Sequence, residues 1–239
     1  MYAVITGYRA KYPTSSGIPS GIEPNAFMEL LSSRCAPGDI ICLDVGQNQM
    51  WAAQSFTIKE GQRMLISGGM GAMGFALPAA LGAAKAVPGQ RVVAISGDGG
   101  IQVNIQDLET IASHRLPVKI VVLNNGCLGM VRQFQDMYFG GRQQSTVIGY
   151  GCPDLVRIAT AYGISAHSLA TGDDLAGALE RFLTEDGPGF LDVKLECATN
   201  VEPKLLVNYP IEDMSPHLER EELAREMLID VVDEEKVPK

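Results

Sequence analysis

Short, uniformly apolar segments alternate along most of this chain with longer segments that have the periodicity of helices. Two of the apolar segments, residues 40–43 and residues 92–95, read IICL and VVAI and show no alternation of polar and apolar side chains. A strand that is apolar at every position must be buried on both faces, which is typical of a parallel sheet between two layers of helices. We therefore expect an α/β fold, with a doubly wound, mostly parallel sheet and helices on both faces.

Breaker residues and charge divide the sequence into three parts. Prolines and glycines interrupt residues 1–23, which we expect to form an irregular lead-in. The alternating pattern of strands and helices fills residues 24–200, the expected α/β domain. Residues 201–239 form a C-terminal segment whose many acidic side chains are typical of a solvated helix.

The composition excludes several classes of protein and partner. A formal net charge of −9 argues against nucleic-acid binding, because a surface that meets phosphates is rich in lysine and arginine. No apolar run approaches the roughly 18 residues of a membrane span, and the N-terminus lacks the features of a signal peptide. The five cysteines are an odd number without metal-type spacing, which favours reduced thiols. We therefore expect a cytoplasmic protein without a membrane partner.

Polar side chains follow two of the predicted strands at the points where those strands end. Asp98 lies in the segment ISGDGG, and Asn125 closes the segment VVLNN. Residues 100–123 suffice for one helix and one strand, so the two ends belong to neighbouring parallel strands and lie side by side. Carboxylate, amide and main-chain carbonyl oxygens are the ligands that Mg²⁺ prefers. The sequence therefore predicts a magnesium site at this edge, where diphosphate oxygens and water complete the octahedron.

The glycines around Asp98 fit the same interpretation. They let main-chain N–H groups approach phosphate oxygens, and a helix that starts near Asn104 would direct its positive end at the same anion. Each motif alone has a simpler explanation, a tight turn for GDG and an Asx turn or helix start for NN. Their joint position at two adjacent strand ends favours a site for magnesium and a diphosphate.

The GDG and NN motifs at this spacing resemble the thiamine diphosphate fingerprint. The segments DVGQNQMWAAQ, GGMGAMGFALPAALGA and NNGCLGMVRQFQ are similar to the C-terminal catalytic domain of acetohydroxyacid synthase, the large subunit of acetolactate synthase. The resemblance runs from about Ile22 to the PIEDMSP segment at residues 210–216. It implies thiamine diphosphate and Mg²⁺ as cofactors, with FAD only in a full-length enzyme.

The resemblance implies roles for a defined set of residues. Asp98 and Asn125 would bind Mg²⁺ through their side chains, and Cys127 through its main-chain carbonyl. Met73 would be the apolar wedge that holds the two cofactor rings in a V shape. The other cofactor contacts would be Gln47, Asn48, Gly97, Gly99 and Gly100 at the diphosphate, Gly71 and the Met73 main chain at the aminopyrimidine, and Gly129 and Met130 above the cofactor.

Two positions depart from the pattern of that family. Asn48 stands where the family usually has histidine, so this polar contact cannot carry a positive charge. Phe134, which would line the substrate pocket with Met130, stands where biosynthetic members usually have tryptophan. Because phenylalanine is smaller, we expect a bias toward pyruvate, rather than 2-oxobutyrate, as the second substrate.

The implied activity is that of a thiamine diphosphate-dependent transferase and lyase of the acetolactate synthase type. Such an enzyme decarboxylates pyruvate and joins the remaining two-carbon unit to a second 2-oxo acid, in branched-chain amino acid biosynthesis. In this superfamily the activating glutamate lies on a separate pyrimidine-binding domain, usually in another subunit of an oligomer. We find no such domain in this sequence. We therefore expect a homo-oligomer and a chain that has no catalytic residue of its own and is incomplete alone.

Two other functions fit the same residues. The chain could be the cofactor subunit of a two-subunit thiamine diphosphate-dependent 2-oxo acid decarboxylase, of the sulfopyruvate or phosphonopyruvate type. It could also be a non-catalytic module that keeps the fold without turnover. The segments GQNQMWAAQ and IEDMSP favour acetolactate synthase over the first, and the presence of both Asp98 and Asn125 argues against the second.

Overall fold

The computed structural model of the chain describes residues 2–14 and 21–232. These residues divide by their contacts into two compact units. Residues 21–200 belong to the first unit, and residues 2–14 together with residues 201–232 belong to the second.

Helices and strands alternate along the first unit. The helices of the described chain are α1 (Tyr2–Lys11), α2 (Pro24–Arg34), α3 (Gln47–Ser55), α4 (Ala76–Ala86), α5 (Asp98–Val103), α6 (Asp107–Ser113), α7 (Gly129–Tyr138), α8 (Leu155–Ala161), α9 (Leu175–Thr184) and α10 (Arg220–Glu226). The strands are β1 (Ile40–Leu43), β2 (Arg63–Ile66), β3 (Val92–Gly97), β4 (Val118–Asn124), β5 (Ser165–Leu169), β6 (Gly189–Lys194), β7 (Lys204–Leu205) and β8 (Met214–Ser215). The first unit contains α2–α9 and β1–β6.

The six strands of the first unit form one parallel sheet in the order β2-β1-β3-β4-β6-β5. The chain runs outward from β1 to β2, then returns past β1 to begin β3, so the direction of winding reverses between β1 and β3. Ligands of open parallel sheets bind outside the carboxyl ends of the strands at such a point. The predicted fold class is confirmed, and the topology directs attention to the ends of β1, β3 and β4.

The central strands are buried on both faces, as their composition predicts. Every residue of β4 is buried, and so are all residues of β3 except the last. On one face, Leu77, Leu108 and Leu155 from α4, α6 and α8 pack in a core cluster with strand residues such as Val92. Val93 points to the opposite face because strand side chains alternate, and it is equally buried. This packing holds the strand ends in fixed positions.

The expectation of an irregular lead-in over residues 1–23 is wrong for its first part, which forms α1. No proline interrupts this stretch, and its end has partners on α10 within the second unit. Lys11 Nζ lies 2.8 Å from a carboxylate oxygen of Glu222 and 2.8 Å from one of Glu226. The rest of the predicted lead-in includes residues 15–20, which lie outside the described part of the chain.

The helix expected to start near Asn104 is preceded by another helix that the sequence analysis did not predict. α5 starts at Asp98, directly after β3, and Asn104 is the residue at which it ends. A separate helix, α6, follows from Asp107. Gly99 and Gly100 of the GDGG motif therefore belong to the first turn of a helix rather than to a loop before one, and Gly97 is the last residue of β3.

The second unit contains the acidic helix that the composition predicts, as α10. The short strands β7 and β8 pair antiparallel ahead of it. Asp213 is buried there, and its carboxylate pairs with His217 and Arg220. Residues 233–239, the end of the predicted acidic segment, lie outside the described residues.

Two predictions from composition can be compared directly with the structure. None of the helices in the part of the chain that the structure describes is both long and apolar enough to cross a membrane. All five cysteines are unpaired thiols, as expected, and Cys35, Cys42 and Cys127 are buried. Burial raises the pKa of the Cys42 thiol to about 12, so this thiol stays protonated at neutral pH.

Candidate metal and cofactor site

A cleft of about 100 Å³ lies at the carboxyl ends of β1, β3 and β4. The residues that begin α3, α5 and α7 form its walls. Its volume is below the roughly 300–1,000 Å³ typical of small-molecule sites, so a larger ligand would extend beyond it. Most of the predicted site residues line it: Gln47, Asn48, Met73, Gly97, Asp98, Gly99, Gly100, Asn125, Cys127, Gly129 and Met130. Gly71 and Phe134 do not line it.

Asp98 is the one carboxylate among the described residues that line this cleft, and its side chain is buried. The Tyr150 hydroxyl donates to Asp98 Oδ2 over 2.7 Å, and Gln102 Nε2 donates to the Tyr150 hydroxyl oxygen over 3.2 Å. Burial raises the pKa of Asp98 to about 6, although the hydrogen bond from Tyr150 acts in the opposite direction. A buried carboxylate that is ionised at neutral pH favours a cation beside it.

The Asn125 side chain lies beside Asp98, as the adjacency of β3 and β4 predicts. Asn125 Oδ1 is 3.2 Å from Asp98 Oδ1 and 2.9 Å from the main-chain oxygen of Cys127. On its other side, Asn125 Nδ2 donates to Gln47 Oε1 over 2.9 Å. Asn125 Oδ1 therefore lies close to two other oxygens, one from Asp98 and one from Cys127, and none of the three carries a hydrogen to donate. This arrangement is unfavourable unless a cation lies between the oxygens.

Turning the Asn125 amide over would satisfy these oxygens without a cation, but Gln47 opposes that orientation. Asn125 Nδ2 would then donate to Asp98 Oδ1 and to the Cys127 oxygen. The amide oxygen would face Gln47 Oε1 at 2.9 Å, so two acceptors would meet. Gln47 cannot turn in response, because its Nε2 donates to the carbonyl oxygen of Thr199 over 3.0 Å. The network thus fixes the Asn125 oxygen toward Asp98.

The spacing of these oxygens fits magnesium. Ligands about 2.0–2.1 Å from a metal ion in an octahedron have neighbours about 3.0 Å apart. The observed separations are 2.9 Å and 3.2 Å. No group of three histidine, cysteine, aspartate or glutamate side chains in the described residues could hold a metal ion. The mixed set of carboxylate, amide and carbonyl oxygens is therefore the candidate metal site.

Gly99 and Gly100 of the GDGG motif are required by close packing. A Cβ on Gly100 would lie 2.7 Å from Ser96 Oγ and 2.9 Å from the carboxylate of Asp44. A Cβ on Gly99 would lie 2.6 Å from the Leu128 side chain. Real Cβ atoms do not approach neighbours this closely, so the backbone can pass here only without side chains.

Asn48 has an amide that the protein itself holds only weakly. The side chain is buried, yet its Oδ1 accepts no hydrogen bond from the described residues. Its Nδ2 lies 3.5 Å from the main-chain oxygen of Val45, at the outer limit of a hydrogen bond. The same Asn48 nitrogen lies 3.3 Å from the point where a Cβ on Gly97 would be. A small rotation would therefore let this amide donate to an anion in the cleft.

The glycine-rich loop after β2 carries Met73 to the cleft, where its side chain is 46% exposed. Asp44, which directly follows β1, holds this loop in place. Its Oδ1 accepts from the Gly74 N–H over 2.8 Å, and its Oδ2 accepts from the Ala76 N–H over 3.2 Å. Gly71 has a φ of +61° and gives the loop a left-handed turn outside the cleft.

Gly129 begins α7 and packs directly on the Gln47–Asn125 pair. A Cβ at this position would lie 1.9 Å from Gln47 Oε1 and 2.4 Å from Asn125 Nδ2, so only glycine permits the contact. Met130 lines the cleft next to it. Phe134 lies further along α7 in an aromatic cluster and is 40% exposed.

Three residues that shape this site were not predicted: Asp44, Tyr150 and Thr199. Tyr150 and Thr199 are 52 and 152 positions away in sequence from the residues that they contact, Asp98 and Gln47. Nothing in their local sequence marks them. Asp44 does carry a signal, a carboxylate at the end of a buried strand, which is the same signal that identifies Asp98.

Comparison with known proteins gives a consistent family assignment. Residues 44–193 match the model of the thiamine pyrophosphate enzyme, C-terminal TPP binding domain. The chain is 42% identical to the acetolactate synthase isozyme 2 large subunit of Escherichia coli K12 over 176 residues. This aligned region covers 74% of this chain and 32% of that protein. It is 40% identical over 194 residues to an acetolactate synthase of Arthrospira platensis, which covers 81% and 33%.

A further relative is a probable acetolactate synthase large subunit of Methanococcus aeolicus, 43% identical over 157 residues, which cover 66% of this chain and 26% of that protein. The chain thus spans about a third of the length of the first two relatives and 26% of the third. The family match contains every predicted site residue, from Gln47 to Phe134. The chain therefore belongs to the thiamine pyrophosphate enzyme family and carries its C-terminal TPP-binding domain.

Proposed function

We propose that the cleft binds Mg²⁺ together with the diphosphate of thiamine diphosphate. The observation that carries the proposal is the convergence of Asp98 and Cys127 oxygens on Asn125 Oδ1 with no donor among them. Asp98 supplies the negative charge, and Asn125 and Cys127 supply neutral oxygens. Diphosphate oxygens and water would supply its remaining ligands, as is usual for Mg²⁺ in phosphate sites.

The remaining cleft residues suit the organic part of the cofactor. Met73 offers exposed apolar surface at the cleft, and Asn48 offers an amide that can donate to the diphosphate. Gly129 and Met130 begin α7 beside them. Thiamine diphosphate, when bound, supplies the electron sink for decarboxylation of a 2-oxo acid, and the residues of this chain bind and orient it.

We further propose that the protein to which this domain belongs forms acetolactate from pyruvate. Relatives at about 40% identity carry the name acetolactate synthase. The reaction decarboxylates pyruvate and transfers the two-carbon unit to a second 2-oxo acid. Phe134, smaller than tryptophan, supports pyruvate over 2-oxobutyrate in the second position.

A pyrimidine-binding domain, in the same protein or in a partner subunit, would supply the activating carboxylate. The described cleft contains Asp98 as its one carboxylate, and that group faces the proposed metal. FAD, if present, would belong to the same additional part of the protein. The working form would be an oligomer.

Calorimetric titration of the chain with thiamine diphosphate, with and without Mg²⁺, tests the central proposal. We expect binding that depends on Mg²⁺. Asp98→Ala removes the charged ligand and should weaken binding by about 100-fold or more, because the cation then lacks its buried counter-charge.

Asp186→Ala is the matched control, since Asp186 is exposed and lies outside the cleft lining. It should bind like the unaltered chain. Equal affinity in the Asp98→Ala variant and the unaltered chain would contradict the proposed site.

A further inference from the structure

We infer that Gln47 is a positioning residue, whose amide determines which atom of Asn125 faces the metal ion. The resemblance to the family places Gln47 at the diphosphate, but both atoms of its amide already have protein partners. The inference rests on the proposed magnesium site and assigns Gln47 a separate task within it.

The orientation of Gln47 is set by a group that cannot reverse its role. Gln47 Nε2 donates to the main-chain oxygen of Thr199 over 3.0 Å, and a carbonyl oxygen can only accept. Arg132 Nη2 donates to the same oxygen over 2.7 Å and to Asn200 Oδ1 over 2.9 Å, which fixes the Thr199 carbonyl in place. Gln47 must therefore present its oxygen on the other side.

That oxygen in turn orients Asn125. Gln47 Oε1 accepts from Asn125 Nδ2 over 2.9 Å, so Asn125 Oδ1 is the atom that remains for Asp98 and Cys127. The side chains of Gln47 and Asn125 are 4% and 7% exposed, so water has little access to replace either partner. Gly129 packs directly against both amides and leaves no space between them.

Without the Gln47 amide, the preferred state of the site would change. The Asn125 amide could turn over and donate to Asp98 Oδ1 and to the Cys127 oxygen at 3.2 Å and 2.9 Å. The Asp98 and Cys127 oxygens would then accept hydrogen bonds from the Asn125 amide. A cation would have to break these hydrogen bonds in order to bind. Residues that orient metal ligands typically change metal affinity by about 10–100-fold when they are replaced.

The test is the Mg²⁺ dependence of thiamine diphosphate binding by the full chain, measured by calorimetry for Gln47→Met. Methionine keeps the length of the side chain but neither donates nor accepts strongly. We expect the affinity for Mg²⁺ to fall by about tenfold or more. Gln106→Met is the matched control, because Gln106 is exposed and its side chain caps nothing. Gln47→Leu replaces Gln47→Met if the latter does not fold.

A double-mutant cycle separates positioning from a general structural role. In an Asn125→Asp background, both terminal atoms of residue 125 are oxygens, so its orientation no longer matters. We expect Gln47→Met to weaken Mg²⁺ binding in the Asn125 background and to have less than about a threefold effect in the Asn125→Asp background. A structural defect would weaken both equally.

Two results would overturn the inference: unchanged Mg²⁺ affinity in Gln47→Met, or the same loss in both backgrounds. A failure of the proposed site itself is recognised separately. In that case the unaltered chain and the Asp98→Ala variant would bind Mg²⁺ alike, whatever residue stands at position 47.

Discussion

The protonation state of one side chain controls the charge of the candidate site. Burial raises the pKa of Asp98 to about 6 from an ordinary value of 3.8. The folded chain therefore keeps this proton at pH values where the unfolded chain has lost it. The stability of the metal-free chain should accordingly fall as the pH rises from about 4 to about 6, and bound Mg²⁺ should reverse this loss.

The affinity for Mg²⁺ should depend on pH with the opposite sign. Above pH 6 the Asp98 carboxylate is ionised and available to the cation. Below pH 6 a proton competes, so the apparent affinity should fall by about tenfold for each further pH unit. Calorimetric titrations with Mg²⁺ and thiamine diphosphate between about pH 5 and about pH 8 would measure this, because that range brackets the pKa of Asp98, about 6.

Tyr150→Phe provides the variant for comparison. The Tyr150 hydroxyl donates to Asp98 Oδ2 and so lowers the pKa of that carboxyl. Its removal should move the midpoint of the pH profile upward, whereas Tyr162→Phe, outside the cleft lining, should leave it unchanged. A profile without any midpoint near pH 6 in the unaltered chain would show that Asp98 does not govern binding.

The candidate metal ligands could be located from the sequence because local signals mark their positions. An apolar run identifies each strand, the first polar residue marks its end, and a single crossover places Asp98 next to Asn125. The residues that orient these ligands were not predictable. Gln47 and Asn125 are 78 positions apart, and their contact exists only because β1 and β4 lie in one sheet.

Among the elements, the loop between β2 and α4 is anchored to the strand ends by the side chain of Asp44. The buried Asp44 carboxylate accepts from the N–H groups of Gly74 and Ala76 and from the Ser96 hydroxyl. Asp44→Ala would leave these donors without a partner in a buried site. We expect the free energy of unfolding to fall by about 2–4 kcal/mol, measured by urea denaturation.

The same loop carries Met73, so Asp44→Ala should also weaken binding of thiamine diphosphate. Asp186→Ala again serves as control, because an exposed aspartate away from these contacts should change the stability by less than about 0.5 kcal/mol. A stable Asp44→Ala variant with intact binding would mean that the loop is held by its other contacts.

Element prediction succeeded for the strands that are buried on both faces and missed two elements that lack a continuous apolar pattern. β3 and β4 are apolar throughout and were identified from composition. β2 was missed because it lies at the edge of the sheet and its residues are exposed or half-buried. α3 was missed because its buried positions include Gln47 and Asn48, so the helix has no apolar stripe to reveal it.

At the scale of the whole molecule, the chain corresponds to about a third of the length of the first two relatives. We expect the isolated chain to bind thiamine diphosphate with Mg²⁺ but not to form acetolactate from pyruvate. Among the described residues that line the cleft, Asp98 is the one carboxylate, and it faces the proposed metal rather than the cofactor ring, so it is not available to move a proton there. A colorimetric acetoin assay of the purified chain measures this.

Addition of a pyrimidine-binding domain from a relative, or its fusion to this chain, is the informative companion experiment. Restored acetolactate formation would show that the added domain supplies what the isolated chain lacks. Turnover by the isolated chain would instead contradict its proposed incompleteness.

Trp51 is the only tryptophan in the sequence, and it lines the cleft. Its indole Nε1 donates to the main-chain oxygen of Asn200 over 3.2 Å, next to the Thr199 carbonyl that holds Gln47. Tryptophan emission from this chain therefore originates beside the candidate site, with no competing indole elsewhere. The chain contains its own optical reporter, and occupancy of the cleft can be followed without attaching a dye.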